Sequence, residues 1–168
     1  LVTSVMPSLV AAKAEGQAVY LRRYRKFFRI MLLLAVAVVV PMTLFARPLV
    51  LFLFGPAYAE AGPILSVQVW TSIFVFQGVA QGPWFVIENQ TLLTLKRNLA
   101  GALVNIGCNL VLIPRFGGLG AAFSSLVGHF VCNVLVNAFD VRTRPLFWMS
   151  IGLSGPVFAT QDGRGIDD

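Results

Sequence analysis

The sequence predicts an all-α protein, a polytopic bundle of transmembrane helices. Three observations carry that reading. Four apolar stretches, 30–46, 61–87, 98–114 and 116–139, contain no charged residue. Each is near the 20 or so residues that a helix needs to cross a bilayer core. The basic residues between them alternate in number. Lys13, Arg22, Arg23, Arg25, Lys26 and Arg29 precede the first stretch, only Arg47 follows it, Lys96 and Arg97 come next, then only Arg115, then Arg142 and Arg144. Short cytoplasmic loops of membrane proteins collect Lys and Arg, so the alternation places the Arg22–Lys26 side in the cytoplasm. Composition agrees: 57% of the 168 residues are hydrophobic and 12% are charged, about half the charged share of a soluble domain.

Taken in order, residues 1–12 are apolar but too short to span, and read as the end of a helix that starts outside this chain. A basic connection at 15–26 carries Tyr20 and Tyr24 one helical turn apart, a placement that suits the headgroup layer. The first span is expected over 27–45. Pro41 lies in its outer third, removes a backbone donor there and is a candidate hinge. Residues 46–62 form an outer connection whose apolar part, 48–54, is too short to cross and is expected at the interface or tucked back into the bundle. Gly55 and Pro56 end it, and Pro63 opens the next helix at a favoured first-turn position. The second span, 64–87, is long enough to tilt or bend, with Gly82 and Pro83 as its hinge. The third span covers 97–113 and stops at Pro114. A tight turn containing Gly117 follows, and the fourth span covers 119–139. Residues 146–160 are apolar but short and broken by Gly152, Gly155 and Pro156, so 148–168 reads as an interfacial segment with a polar tail.

The formal charge of +6 does not point to nucleic acid, because the basic residues flank membrane spans and orientation accounts for them. Cys108 and Cys132 fall inside spans, where they serve as small apolar residues, and no Cys/His spacing suits a metal. No cofactor is expected, and no catalytic constellation is visible. His129 is the single histidine, and no carboxylate falls in the middle of a span. Uncharged polar side chains recur instead at helical spacing. Gln77 and Gln81 mark the second span, Asn98, Asn105 and Asn109 the third, and Ser125, His129, Asn133 and Asn137 the fourth. An amide in hydrocarbon is costly unless paired, so these stripes should face the bundle interior or a watery cavity. One reading is interhelical hydrogen bonding; the other is a polar pathway through Gln77, Gln81, Asn105, Asn109, His129 and Asn133. Gly78–Gly82 and Ser124–Gly128 are small-residue pairs that allow close helix approach.

Ordered motifs add a resemblance. Arg47, Pro48 and Leu49, followed by Leu53, Phe54, Gly55, Tyr58, Ala61, Pro63, Ile64 and Leu65, resemble the outer-loop signature of bacterial polysaccharide biosynthesis proteins. These are the O-antigen and exopolysaccharide flippases of the multidrug/oligosaccharidyl-lipid/polysaccharide exporter superfamily. Asn105, Ile106, Asn109, Leu110, Leu112, Ile113 and Pro114, with Gly117, Gly120, Ala121 and Ala122, resemble a late hairpin of the same family. Met6-Pro7-Ser8-Leu9 and Thr143-Arg144-Pro145-Leu146-Phe147 resemble two of its cytoplasmic helix ends. The resemblance covers residues 1–147; 148–168 depart from the family's lysine-rich finish.

What the resemblance implies is a fold of two lobes around a central cavity, of which residues 1–147 would supply most of the C-terminal lobe. It further implies flipping of an undecaprenyl-pyrophosphate-linked oligosaccharide across the bacterial inner membrane by alternating access. Its partners would be that lipid-linked oligosaccharide, the membrane, a missing N-terminal lobe and a polysaccharide polymerase, with no nucleic acid. Flipping breaks no bond, so no enzyme activity is expected. Arg29, Lys96 and Arg97, at cytoplasmic helix ends, are candidates to capture the pyrophosphate. The rival readings are a drug/cation antiporter, which needs a mid-membrane carboxylate, a membrane enzyme, which needs acidic or histidine pairs in a surface loop, and a non-transporting scaffold.

Overall fold

A computed structural model describes residues 2–152. Those residues form an all-α bundle with no strand among them. The helices are α1 (Val2–Glu15), α2 (Gln17–Phe54), α3 (Ala61–Gln68), α4 (Thr71–Ile87), α5 (Thr91–Phe116), α6 (Gly118–Phe130), α7 (Val136–Phe139) and α8 (Arg144–Ser150). A 3-10 turn at Pro56–Tyr58 and a π-helical segment at Val131–Leu135 complete the elements. Four helical stretches are long and apolar enough to cross a membrane: Gln17–Phe54, Ala61–Ile87, Thr91–Phe116 and Gly118–Phe139. They correspond one for one to the four spans expected from the sequence.

The boundaries differ, and backbone hydrogen bonding explains how. The expected first span of 27–45 is part of a helix of 38 residues, about 57 Å at 1.5 Å per residue. Residues 17–26 are therefore its first turns rather than a connection, and residues 48–54 are its last turns rather than a separate interfacial piece. The helix runs through Pro41 and Pro48. In hydrocarbon a freed backbone group finds no water, so breaking the ladder outright costs more than tolerating a proline. Thr43 Oγ1 donates back to Val39 O at 2.7 Å in the turn that Pro41 loosens. The ends of α2 are set by glycine: Gly16 at φ 134° parts it from α1, and Gly55 at φ 82° stops it just before Pro56.

The second span is interrupted at a place the sequence did not mark. Trp70 N donates to Val67 O at 3.1 Å and Ile73 N to Trp70 O at 3.1 Å, so the chain tightens to i→i+3 bonding between α3 and α4. Pro83, expected as a hinge with Gly82, lies inside an unbroken α4. The third helix starts six residues earlier than expected and continues two past Pro114. The expected tail also begins late. Residues 144–150 are helical, with Leu146, Met149 and Ser150 buried in the bundle, so a boundary at residue 148 would cut α8 in two. The rest of the expected interfacial segment and the polar tail, 153–168, lie outside the described residues.

The bundle has a basic end and a far end. At the basic end Leu9 and Ala12 of α1, Tyr20, Leu21, Tyr24, Phe27, Phe28 and Met31 of α2, Ala80, Trp84 and Phe85 of α4 and Leu146 and Met149 of α8 form one buried apolar cluster. Tyr20 and Tyr24, expected in the headgroup layer, are fully buried there. Tyr20 stacks on Trp84 with centroids 5.5 Å apart, and Tyr24 meets Trp84 edge-on at 5.3 Å. The far end is packed by small residues. A Cβ on Gly62 would stand 3.1 Å from the Cα of Arg47, and one on Gly118 2.5 Å from the Ile64 side chain. Between the ends, α5 and α6 cross where Gly101 and Gly128 face each other, so that a Cβ on either would come within 3.0 Å of the other's carbonyl oxygen.

Candidate functional site: a buried arginine among amides

Arg97 enters the bundle from the second turn of α5, with 6% of its surface exposed. Its guanidinium lies 4.5 Å above the Phe85 ring of α4, a cation–π arrangement. Nη1 donates to Gln81 Oε1, and Nε has no partner. Gln81, fully buried, is held on both sides of its amide. Its Oε1 also accepts from Asn137 Nδ2 at 3.0 Å, and its Nε2 donates to Asn133 O at 2.6 Å.

That last acceptor lies within the π segment. Val136 N reaches back five residues to Val131 O, which widens one turn of the helix. Such single wide turns often stand at functional sites. Asn133 O takes two side-chain donors there, Gln81 Nε2 and Asn137 Nδ2, the second at 2.9 Å. Asn137 O in turn accepts from Thr143 Oγ1 at 3.2 Å, which ties the chain entering α8 to the same network. Gly78 makes room for it: a Cβ there would stand 2.5 Å from Asn133 Oδ1.

Among the described residues, ion pairs join Lys13 to Glu88 at 2.9 Å and Arg23 to Glu15 at 3.0 Å, and neither includes Arg97. An isolated buried charge costs several kcal/mol. Here amide oxygen and an aromatic face offset that cost where a carboxylate is the common partner. Arg97 and Asn137 also line an open pocket of about 280 Å³ with Lys96, Asp140, Thr143 and Phe139. Asp140 does not reach either cation; its Oδ1 accepts from Arg142 N at 2.8 Å.

The residues expected to form one pathway fall into separate places. Gln81 and Asn133 meet in this interior network, and Gln77, one turn of α4 away, donates from Nε2 to Ser150 O at 3.1 Å. Asn105 and His129 instead line a groove of about 470 Å³ between α5 and α6, with Asn98, Ser125 and Cys132. Cys132 Sγ donates to Asn98 Oδ1 at 3.3 Å across it. Asn109 lies a turn further on, where its Nδ2 donates to Asn105 Oδ1 at 3.1 Å. Lys96 and Arg97 are brought together, but Arg29 lines a different, smaller pocket with Arg25 and Gln77.

Pro83 and Gly82 belong to an arrangement the sequence only half revealed. The Tyr24 hydroxyl donates to Ala80 O at 2.7 Å and accepts from Trp84 N at 2.8 Å. Those two backbone groups are the i, i+4 pair that an uninterrupted helix joins directly. Pro83 already lacks its own N–H, and a side chain from α2 supports α4 at the positions beside it. Asn137, Phe85 and Thr143 were not singled out as site residues by sequence reasoning. Asn137 had a usable signal, its place four residues after Asn133 in the polar stripe; Phe85 and Thr143 had none.

Fold and composition together define a multi-pass membrane protein. The comparisons with known proteins agree at that level. Over 107 residues, 63% of the chain, it is 28% identical to an uncharacterized membrane protein of Methanocaldococcus jannaschii, and the chain spans about a fifth (21%) of that relative's length. No family model and no solved structure matches the chain.

Proposed function

We propose that this chain is part of a lipid-linked oligosaccharide flippase of the bacterial cytoplasmic (inner) membrane. In this reading the protein carries undecaprenyl-pyrophosphate-linked glycan units between leaflets by alternating access. The observation that carries it is Arg97, a guanidinium buried without a carboxylate and opening, beside Lys96, on a pocket at the basic end. Taking a pyrophosphate headgroup through hydrocarbon requires fixed positive charge, because the anion loses its hydration there. Two adjacent cations, one exposed for first capture and one buried to hold what is captured, supply it. The glycan requires hydrogen-bonding walls, and the groove of Asn98, Asn105, Ser125 and His129 offers uncharged donors and acceptors. The motif resemblance over residues 1–147 points the same way. A cation antiporter is less well supported. The buried charge here is positive, and no carboxylate lies in the middle of a span.

The test is surface polysaccharide export by the complete protein carrying Arg97→Leu, with Arg97→Lys as the charge-preserving control. Export should fall at least about tenfold in the first, at equal protein level in the membrane, and recover in part in the second. Undiminished export with Arg97→Leu at normal protein level would remove the basis of the proposal.

A further inference from the structure

We infer that Gln81 is a placeholder for an anion: its amide oxygen occupies the position that a phosphate or pyrophosphate oxygen takes when ligand binds. The inference rests on the reading of Arg97 as the capture group and goes beyond it by naming what the ligand displaces.

Three observations carry it. Gln81 Oε1 accepts from two separate donors, Arg97 Nη1 from α5 and Asn137 Nδ2 from α7. Both donors also line the open pocket with Lys96 and Asp140, so a ligand in that pocket meets the same groups. Arg97 Nε, buried and without a partner, leaves the guanidinium with unused donor capacity. A phosphate oxygen carries full charge and accepts stronger hydrogen bonds from a guanidinium than a neutral amide does. An amide is therefore strong enough to hold Arg97 in place and weak enough to be exchanged. A carboxylate at the same position would neutralise Arg97 permanently and bar the anion by repulsion. Gln81 is in this sense a positioning residue. Once Gln81 is displaced, Asn137 keeps its bond to Asn133 O, so that amide is not left without a partner.

Two substitutions at this position give opposite expectations. Gln81→Glu should weaken anion binding at least about tenfold by closing an ion pair with Arg97. Gln81→Met keeps the length but removes the acceptor. It should lower the ligand-free midpoint and leave anion binding as tight as wild type or tighter. The measurement is the thermal shift of the complete protein in nanodiscs. It is titrated in one arm with inorganic pyrophosphate and in the other with farnesyl pyrophosphate, with Arg97→Leu alongside. A shift with both probes supports exchange at the phosphate alone; a shift with the prenylated probe only supports the same exchange fed from the membrane. Wild-type affinity in Gln81→Glu overturns the placeholder while leaving Arg97-dependent export standing. Absence of any shift in wild type with either probe overturns the placeholder and the Arg97 capture site together, and the export assay then judges the flippase reading separately.

Discussion

At the basic end of the bundle Tyr24 reaches from α2 to join Ala80 O and Trp84 N of α4, and Gln81 joins α4 to α5 and α7. At the far end the corresponding contact is a bare backbone approach, Gly62 against the Cα of Arg47. The contrast holds throughout. Side-chain hydrogen bonds between helices lie in the basic half of the described residues. Thr43, Ser66 and Ser124, further out, donate only to the carbonyl four residues back on their own helices. Helices in a bilayer gain little from the hydrophobic effect, so they associate by close fit of small residues or by polar ties. This protein uses the first at one end and the second at the other. The two respond differently to substitution: a fit tolerates no added atom, whereas a polar tie can lose one partner and be remade with another.

The largest effect is expected from Gly120→Ala, because a Cβ at Gly120 would overlap the Leu112 carbonyl and the backbone there cannot give way without opening the α5–α6 turn. A cost of about 3 kcal/mol follows from overpacking against backbone. The protein should then fail to accumulate, read as loss of the monodisperse peak in detergent. If Gly120→Ala accumulates normally, the fit at the far end is looser than the contrast requires.

Next comes Tyr24→Phe. It keeps the aromatic cluster but strips the hydroxyl from Ala80 O and Trp84 N beside Pro83. Two buried backbone groups then have only each other, across a turn already missing a donor. About 1–3 kcal/mol is expected, seen as a lowered thermal midpoint and faster amide exchange at Trp84. An unchanged exchange rate would mean that α4 closes its own ladder and that Tyr24 does not support it there.

These same residues show what was legible in the sequence. The four spans and their alternating charge could be read because lipid imposes length and apolarity on every residue of a span. The reach of α2 could not. Its first turns are basic and its last contain Pro48, and both features argue for a connection when each is weighed locally. Tyr20 and Tyr24 fit a headgroup position equally well; only α1, α4 and α8 closing around them make them core. The stripes of Gln and Asn were visible, but their division into an interior network and an outward groove depends on helix rotation, which the π segment at Val131–Leu135 alters by one residue. Nothing in that stretch announces a wide turn. Arg97 was identified by its charge and helix-end position, whereas its burial required knowing that Phe85 and Gln81 present the same face of α4.

The smallest effect should come from Lys13→Met. Lys13 Nζ reaches Glu88 at 2.9 Å and Ile87 O at 3.2 Å, and so clamps α1 to the end of α4 just beyond the Tyr24 bridge. Both side chains are partly open to water, 37% and 23% exposed. Solvent and salt therefore screen the pair, and about 0.2–1 kcal/mol is the expected range. The informative comparison is with Tyr24→Phe in a double-mutant cycle. If the basic end is a set of independent polar ties, the two losses add. If α4 responds as one lever, the cycle shows coupling: once Tyr24 has released Trp84, the clamp on Ile87 O acts on a helix end that has already moved. Additive losses would leave the contrast between the two ends as one of chemistry alone. Coupled losses would make it one of mobility, with the far end fixed by fit and the basic end free to move as a unit around Arg97.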